Sequence, residues 1–462
     1  MNNLLLRSDL YKYSHHEQYP EGTNKIYSYF TARGSRLPHI NKVKFFGLRY
    51  YIEKYLKNCI GWEEIEEFQK YVSNSLGRKA VSGKILDELH WIRTNGFLPI
   101  EIKALPEMEE YPLQLPLFTI TNTHPKFYWL VNFLETLLMK VAYPTTIASV
   151  SKSLRDLSEY FAKETCDDNS HCPYQFHDFS YRSLHSEEAA CLSGAAHLLN
   201  FDGTDTMGGI DLLNHYYNIF KGCSVPATEH SVMSMYGKEN EFDCYNRLLD
   251  LYPEGILSIV SDTYDYWNVL INYLPRLKDR IISRNGKVVI RPDSSPKTPL
   301  EIIIGDKEAE PGSPEYKGSL QLLWETFGGT YNSKGYKVLD PHIGLIYGDG
   351  ISPDMAKLIF QHMTWHKWAS SNIVFGIGGY TYSMVTRDTF GFAIKATYGE
   401  VNDMPREIYK DPKTDSKKRS AKGLLYVGQR DNGEYYFEDC VSPQREKEGL
   451  LKTVYKNGRI YY

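Results

Sequence analysis

The sequence of 462 residues lacks the compositional marks of several protein classes. Its seven cysteines are dispersed and form no CxxC pair, which argues against a disulfide scaffold and is typical of free thiols in a reducing compartment. Its 53 basic and 57 acidic residues leave a net charge of −4, so overall charge supports neither nucleic-acid nor membrane binding. Apolar residues (42%) and charged residues (24%) are present in globular, not disordered or coiled-coil, proportions.

Long apolar runs are also absent. The most apolar stretch, residues 128–143, contains Asn132, Glu135 and Lys140 and is too short and too polar to span a membrane. The N-terminal segment MNNLLLRSDL has only three apolar residues between Asn3 and Arg7, which is too few for a secretory signal. We therefore expect a soluble cytoplasmic protein that binds neither membrane nor nucleic acid.

Common catalytic motifs are missing as well. There is no GxSxG, Walker loop, Rossmann fingerprint or HExxH, which argues against the enzymes that carry them. The phosphoribosyl diphosphate loop of the commoner phosphoribosyltransferase fold, an apolar run leading into paired acids and a threonine, is absent too. Cys166, His171, Cys172 and His177 could be drawn around zinc, but their spacing fits no compact zinc site well.

Aromatic residues, in contrast, are abundant. They make up 14% of the chain and include 37 tyrosines. Tyrosine combines a large apolar ring with one hydroxyl, which suits both cores and wet interfaces. The length corresponds to two large or about three average domains, and no Gly/Ser-rich or Pro-rich linker separates them, so we expect the domains to be interleaved.

Four short apolar runs are typical of buried parallel strands. They end at Val260, Ile290, Ile346 and Phe375, at intervals of 30, 56 and 29 residues. One strand–helix unit needs about 30 residues, so the middle interval holds one unit plus an insertion, residues 297–338. The pattern predicts a parallel sheet covered by helices, which is either a β/α barrel or a doubly wound open sheet.

Helix signals accompany these runs. We predict a helix over about residues 47–57 and another from about residue 144, where apolar residues recur along one helical face. After Gly350, Ser352 is a good N-cap and Pro353 a good first helical residue. The buried stripe expected for this last helix consists of Ala356, Ile359, Phe360 and Met363.

Glycine clusters follow two of the strand ends, where barrels and open sheets keep their active sites. The clusters are GDG at 348–350 and GIGG at 376–379, each before a predicted helix. Tight turns alone would explain either one. Together, and with Arg387 and Lys395 soon after, they favour a phosphate site, because glycine lets a ligand approach the backbone and helix N-termini attract anions.

Carboxylates and one histidine complete the candidates. Asp262, Asp293 and Asp349 end strands and could converge on one cavity, with Asp205 as a fourth acid. Acids beside phosphate loops suggest a magnesium-chelated diphosphate or a ribose diol, although Asp205 or Asp262 alone could simply cap a helix. His230 lies near a further probable strand end and is a candidate on that ground.

A series of short motifs runs in order over nearly the whole chain. They are DLYK (9–12), YF (29–30) with Arg33, HDFSYR (177–182), NFDGTDT (200–206), SVPATEHS (224–231), VSDTYD (260–265), IRPDS (290–294), GDG, GIGG, TRD (386–388), Lys395, KDP (410–412) and KRS (418–420). With these motifs the chain resembles the nicotinate/quinolinate-type phosphoribosyltransferases, and within them the branch that uses nicotinamide. Ser180 stands where the family's familiar form of the HDFSYR motif has glycine, and Ala393 stands where the family often has serine.

The resemblance implies an irregular β/α barrel of the type II phosphoribosyltransferases with a second, interleaved α+β domain. The barrel would span residues 135–390, with residues 5–30 packed on it, and the second domain residues 35–130 plus 391–462. The implied reaction joins nicotinamide to 5-phosphoribosyl 1-diphosphate, giving nicotinamide mononucleotide and diphosphate in NAD salvage. It also implies Mg²⁺, coupling to ATP through a phosphohistidine, and a homodimer with shared active sites.

Roles for the nicotinamide ring follow from the same resemblance. Phe179 and Tyr11, the tyrosine from the partner subunit, would sandwich the ring. Asp205 would accept from the carboxamide nitrogen, with Ser258 and Arg291 near the amide. Since the attacking pyridine nitrogen carries no proton, no general base is required, which agrees with the missing catalytic dyad.

The remaining roles concern charge. Phosphorylated His230 would be oriented by Asp262, and Asp293 and Asp349 would stabilise the positive charge that develops on the ribose. The metal ligands stay unassigned. The implied phosphate and diphosphate residues are Arg33 (from the partner), Arg182, Gly348, Gly378, Gly379, Arg387 and Lys395, and those for the ATP nucleotide are Glu229 and Lys418.

Three alternatives remain at this point. The first is the same chemistry on nicotinate, which Asp205 disfavours because an acid repels a carboxylate but accepts from an amide. The second is a barrel lyase or isomerase acting on a sugar phosphate, which would share the phosphate loops but needs no aromatic sandwich. The third is a non-catalytic metabolite-binding or secreted signalling protein, against which the retained His230, Arg291, Asp293 and Lys395 argue.

Overall fold

The computed structural model describes residues 3–57, 60–76, 81, 83–294, 298–410 and 420–462. The chain divides into two compact units, Met1–Ser149 with Thr386–Tyr462, and Val150–Val385. The domain boundaries expected from the sequence, at residues 135 and 390, stay a prediction. The boundaries between the two compact units lie at 149–150 and 385–386. Residues 5–30, expected to pack on the barrel, belong to the first unit, where Thr23–Thr31 form a strand of its sheet.

The strands of the described residues are short, and most belong to two sheets. They are β1 (Thr23–Thr31), β2 (Lys42–Lys44), β3 (Ile100–Ala104), β4 (Glu110–Pro112), β5 (Phe118–Asn122), β6 (Phe176–Asp178), β7 (Glu254–Val260), β8 (Asn285–Arg291), β9 (Gly329–Tyr331), β10 (Lys337–Leu339), β11 (Ile343–Tyr347), β12 (Ile373–Ile377), β13 (Ala393–Val401), β14 (Met404–Glu407), β15 (Leu424–Gln429), β16 (Tyr435–Val441), β17 (Lys452–Lys456) and β18 (Arg459–Ile460).

Helices of nine or more residues in the described ranges are α1 (Trp62–Leu76), α2 (Gly83–Asn95), α3 (Ala142–Thr165), α4 (Glu187–Leu198), α5 (Met207–Tyr217), α6 (Glu241–Leu251), α7 (Leu274–Ile282), α8 (Ser319–Phe327) and α9 (Pro353–Trp365). Shorter helices include Leu48–Tyr51, Tyr128–Phe133, His230–Met235, Pro299–Ile304, Pro314–Lys317, Gly379–Ser383 and Pro443–Glu448. None of the described helices is both long enough and apolar enough to cross a membrane.

The first unit is built on an antiparallel sheet of seven strands in the order β14-β13-β1-β5-β3-β17-β18. Strand β1 lies inside this sheet, paired with β13 on one side and β5 on the other. The Phe30 ring stacks between those of Phe118 and Phe392, with centroids 4.7 and 5.0 Å away, and this aromatic layer is fully buried. The unit is therefore the predicted α+β part of the chain.

The second unit contains five parallel strands in the order β6-β12-β11-β8-β7. Three isolated parallel bridges complete the circle: Asp178 with Thr204, Gly203 with Cys223, and Ala227 with Ser258. The loop segments 203–204 and 223–227 thus stand in for strands between β6 and β7. The predicted irregular β/α barrel is confirmed, and the open doubly wound sheet is not observed in the described residues.

Local sequence signals predicted several elements of this barrel well. Helix α9 begins at Pro353, and the Ser352 hydroxyl accepts the Met355 backbone N–H at 3.1 Å as its N-cap. The predicted helix near residue 144 is α3, and the one over 47–57 forms as Leu48–Tyr51 followed by a π-helical turn, Ile52–Leu56. The described part of the insertion contains helix α8 and the β9–β10 hairpin.

Candidate active site

A cavity of about 800 Å³ in the second unit is lined by residues that follow the carboxyl ends of the barrel strands. This is the edge at which the sequence predicted the site. Its lining residues are Phe179, Tyr181, Arg182, Ser183, Asp205, Thr206, Ala227, Thr228, Glu229, His230, Ser231, Arg291, Asp293, Gly348 and Gly378.

Phe179 and Asp205 lie on one side of this cavity. The Phe179 ring is tilted against His177, with ring centroids 4.6 Å apart, and His177 Nε2 lies 3.5 Å from Asp205 Oδ2. The Ser224 hydroxyl donates to Asp205 Oδ1. Burial raises the pKa of the Asp205 carboxyl, but the nearby His177 ring and the hydrogen bond from Ser224 outweigh it, so the pKa is lowered overall. Asp205 therefore presents a carboxylate beside an aromatic face.

Several buried donor atoms near Asp205 have no hydrogen-bond partner within the described residues. Ser258 Oγ and Arg291 Nε are buried and make no hydrogen bond within the described residues, although another guanidinium nitrogen of Arg291 donates to Thr228 O at 2.6 Å. Ser258 also lines a second cavity, of about 350 Å³, which shares Phe179 and Asp205 with the first. Buried donors are normally satisfied, so these two indicate a ligand with an acceptor atom at this point.

His230 and Asp262 form a pair across two loops. His230 Nε2 lies 3.1 Å from Asp262 Oδ1, and the His230 side chain is 48% exposed while that of Asp262 is 7% exposed. Asp262 Oδ2 accepts the Asp293 backbone N–H at 3.0 Å and the Ser294 hydroxyl at 2.5 Å. One buried carboxylate therefore fixes the imidazole and, at the same time, the loop after β8.

The glycine clusters make two different close contacts. A side chain at Gly376 would collide with the Phe179 ring, because its Cβ would stand 2.9 Å from Phe179 Cδ2. At Gly379 the Cβ would meet Ser183 Oγ at 2.6 Å. Gly378, in contrast, borders open space in the cavity and can offer bare backbone to a ligand. Asp349 is exposed and does not line this cavity.

The predicted residues of the first unit form their own groups. Tyr11, which is 60% exposed, and Arg387 line a cavity of about 430 Å³. Burial lowers the pKa of Lys395, and the nearby cations Arg33 and Lys410 lower it further. These cations gather a positive charge suited to phosphate. Lys418 lies outside the described residues.

The structure thus brings most of the predicted barrel residues into one cavity and adds others that sequence reasoning missed. Each of these additional residues lies in or beside one of the sequence motifs, which was the available signal. A linear motif, however, does not show which residues contact each other in the fold. The additional residues are His177, Ser224, Thr228, Ser294 and Gly376. Within the described ranges, no three His, Cys, Asp or Glu side chains are grouped to hold a metal.

Sequence comparison matches the chain to nicotinamide and nicotinate phosphoribosyltransferases. Residues 3–102 match the N-terminal domain of nicotinamide phosphoribosyltransferase, and residues 174–459 match the nicotinate phosphoribosyltransferase family. A protein of Acinetobacter baylyi named nicotinamide phosphoribosyltransferase is 44% identical, with 99% of this chain and 94% of that protein covered. One of the same name from Xanthomonas campestris is 35% identical, with 100% and 96% covered.

Solved structures agree on the fold. The nicotinate-nucleotide pyrophosphorylase of Pyrococcus furiosus aligns over 100% of this chain and 92% of that chain, with a TM-score of 0.57 at 15% identity. Human nicotinic acid phosphoribosyltransferase aligns over 98% and 90%, with a TM-score of 0.52 at 12% identity. The predicted type II phosphoribosyltransferase fold is confirmed. The chain is an enzyme of the nicotinate phosphoribosyltransferase family.

Proposed function

We propose that this enzyme is a nicotinamide phosphoribosyltransferase of NAD salvage. It transfers the phosphoribosyl group of 5-phosphoribosyl 1-diphosphate to nicotinamide and releases nicotinamide mononucleotide and diphosphate. The observation that carries the proposal is the carboxylate of Asp205 beside the Phe179 ring, with the unpaired donors of Ser258 and Arg291 close by. The names of its curated relatives from Acinetobacter baylyi and Xanthomonas campestris support it.

The preference for nicotinamide over nicotinate follows from charge. A carboxamide has an NH₂ that donates to Asp205 and a carbonyl that accepts from Ser258 or Arg291. A nicotinate carboxylate would satisfy the two donors but would place its second oxygen against the Asp205 carboxylate. Because the nearby His177 and the hydrogen bond from Ser224 keep the Asp205 pKa low, this carboxyl is charged at neutral pH and would repel nicotinate.

The chemical step needs positioning and charge stabilisation. The bond from C1 of the ribose to diphosphate breaks, with the electron pair leaving on the diphosphate, and the pyridine nitrogen forms the new bond to C1. No proton moves. The carboxylates of Asp293 and Asp349 follow strands β8 and β11 and are suited to stabilise the oxocarbenium-like transition state.

The phosphates are assigned to backbone and basic residues. Gly348, Gly378 and Gly379 would hold the 5′-phosphate, with Arg182 in the same cavity rim. Mg²⁺ would enter as the complex of the diphosphate, since magnesium is commonly held by substrate phosphates and one or two carboxylates and no three-ligand cluster is found among the described residues. Arg33, Arg387 and Lys395 supply further positive charge.

ATP coupling is assigned to His230. Its imidazole would take the γ-phosphoryl group of ATP, releasing ADP, and the phosphohistidine would later be hydrolysed to phosphate. Glu229 and Lys418 are proposed to contact the nucleotide. The support is the exposed His230 ring held by the buried Asp262, because a hydrogen-bonded carboxylate fixes the orientation of the imidazole.

A homodimer completes the proposal. Tyr11 and Arg33 would act in the site of the second subunit, and the 60% exposure of Tyr11 on a short turn supports such a role, since a large exposed ring is suited to an interface. A cytoplasmic location is proposed as well. Its support is that the six cysteines in the described ranges are free thiols.

Asp205→Asn tests the assignment. The amide presents a donor where the carboxylate accepted, so kcat/KM for nicotinamide should fall about tenfold or more while that for nicotinate falls less or rises. Asp202→Asn is the matched control, because Asp202 lies in the same segment, pairs with Lys221 at 2.9 Å and does not line either cavity. An equal loss with both bases would contradict the role of Asp205.

A further inference from the structure

Phe179 and Asp205 lie where the barrel closes between strands β6 and β7, a closure that we call the seam. Between β6 and β7 the circle is closed by single bridges instead of by full strands. A seam of this kind has few backbone hydrogen bonds, so side chains must fix the two loops. Phe179 and Asp205, two of the residues proposed to contact the nicotinamide, lie directly beside this seam.

One buried carboxylate, that of Asp178, links the two sides of the seam. Asp178 is the last residue of β6 and is fully buried. Its Oδ1 accepts the Ser180 backbone N–H at 2.9 Å and its Oδ2 accepts the Thr204 hydroxyl at 3.2 Å. Its backbone carbonyl accepts the Asp205 N–H at 2.9 Å. Asp178 therefore links the segment around Phe179 to the segment around Asp205.

The Thr204 hydroxyl extends this link. While it donates to Asp178, it accepts the Thr206 backbone N–H at 2.9 Å. Asp205 is thus held on both sides, by its own N–H and by the N–H of Thr206. Asp178, Thr204 and Thr206 are buried, and in a buried network the loss of one partner leaves the others unsatisfied.

We propose that Asp178, relayed through Thr204, is the positioning residue that sets Phe179 and Asp205 against the nicotinamide. It touches no substrate atom and acts only through these two residues. The inference rests on the proposed function. Its consequence is that loosening the seam weakens nicotinamide binding more than phosphoribosyl diphosphate binding, because, of the residues proposed for the phosphates, only Arg182 lies on these loops.

The test uses three variants of the full-length enzyme. Asp178→Asn replaces the acceptor for the Thr204 hydroxyl by an amide nitrogen, Thr204→Val removes the hydroxyl, and Thr204→Ser retains it. We expect the first two to raise the KM for nicotinamide about tenfold, with the KM for phosphoribosyl diphosphate within about twofold and Thr204→Ser close to wild type. Thr165→Val is the control for the loss of a buried hydroxyl elsewhere in the unit, and it should leave both KM values unchanged.

The outcomes separate the two proposals. If the wild type forms no nicotinamide mononucleotide, the proposed function fails. If the wild type is active and all three seam variants change both KM values equally, or only kcat, then Asp178 is merely structural and the inference is overturned. Should Asp178→Asn not fold, Thr204→Val against Thr204→Ser still decides, because equal KM values for nicotinamide in these two variants would contradict a role of the hydroxyl.

Discussion

His230 Nε2 lies 3.1 Å from Asp262 Oδ1. A carboxylate can only accept, so in the neutral imidazole the hydrogen is on Nε2 and the lone pair is on Nδ1. Nδ1 has no hydrogen-bond partner among the described residues. The same carboxylate accepts the backbone N–H of Asp293, so the group proposed to orient the phosphohistidine also fixes a carboxylate proposed to act at the ribose.

Phosphorylation is therefore expected on Nδ1 of His230. Incubation with ATP and Mg²⁺ should give an acid-labile phosphate that His230→Ala abolishes, and phosphorus NMR of the denatured protein should identify the Nδ1 isomer. Phosphate on Nε2 would contradict the observed orientation of the ring.

Asp262→Asn should lower the phosphohistidine level about tenfold, since the amide is a poorer partner for the charged imidazole. Ser294→Ala is the matched control. It removes one donor to the same carboxylate and leaves the contact with His230 in place, so the phosphohistidine level should change by less than about twofold.

Lys12 is a buried cation next to Tyr11. Its Nζ lies 2.6 Å from Glu135 Oε2 and donates to Asn132 O at 2.8 Å. Glu135→Gln leaves this cation without its charge partner and should lower the free energy of unfolding by about 2 kcal/mol. The exposed pair Arg430–Glu434 provides the control, because Glu434→Gln should cost at most about 0.5 kcal/mol. Equal effects in urea denaturation would contradict a structural role of the buried pair.

His197 makes stability depend on pH. It is fully buried between the Tyr382 hydroxyl and Gly203 O. Burial lowers its pKa to about 4, partly opposed by attraction to Asp178, from 6.5 in the unfolded chain. Between these values the unfolded state binds more protons, so the free energy of unfolding should fall as pH decreases from about 6.5, with a loss of about 3 kcal/mol by pH 4.

Urea denaturation at pH 7.5, 6 and 5 measures this slope. His197→Gln should flatten it, whereas the same change at the exposed His185 should not. An unchanged slope in His197→Gln would mean that other groups cause the acid sensitivity.

Gly376→Ala tests the packing behind the aromatic face. Its Cβ would stand 2.8 Å from Gly348 Cα and 2.9 Å from Phe179 Cδ2, so the neighbouring backbone or the ring must shift, and both nicotinamide affinity and stability should fall, the latter by about 1–3 kcal/mol. Gly83→Ala is the control, because a Cβ there meets nothing within 4 Å and the residue begins a helix. A crystal structure of Gly376→Ala in which neither Phe179 nor Gly348 has moved would contradict the expected collision.

Local chemistry made much of the barrel predictable. The cap at Ser352 and the stripe from Ala356 to Met363 are properties of adjacent residues, and they specified α9 correctly. The spacing of the strand ends likewise predicted parallel strand–helix units. The closure of the barrel was not predictable in this way, because single bridges such as Asp178 with Thr204 have no periodic pattern in the sequence.

The same division applies to the site. The candidates at the end of β8, Arg291 and Asp293, were identified from their place at a strand end. The contacts of Asp205 with His177 and Ser224, and that of Gly376 with Phe179, join segments far apart in the chain and depend on the register of the fold. These contacts lower the pKa of Asp205 and pack against the ring, and only the structure shows them.

Product analysis of the purified chain tests the central claim most directly. Nicotinamide and nicotinate are supplied in parallel with phosphoribosyl diphosphate and Mg²⁺, each with and without ATP, and the mononucleotides are quantified. We expect nicotinamide mononucleotide as the main product, with a clear increase on addition of ATP in the wild type and none in His230→Ala. Nicotinate mononucleotide as the main product, or no mononucleotide from either base, would contradict the proposed function.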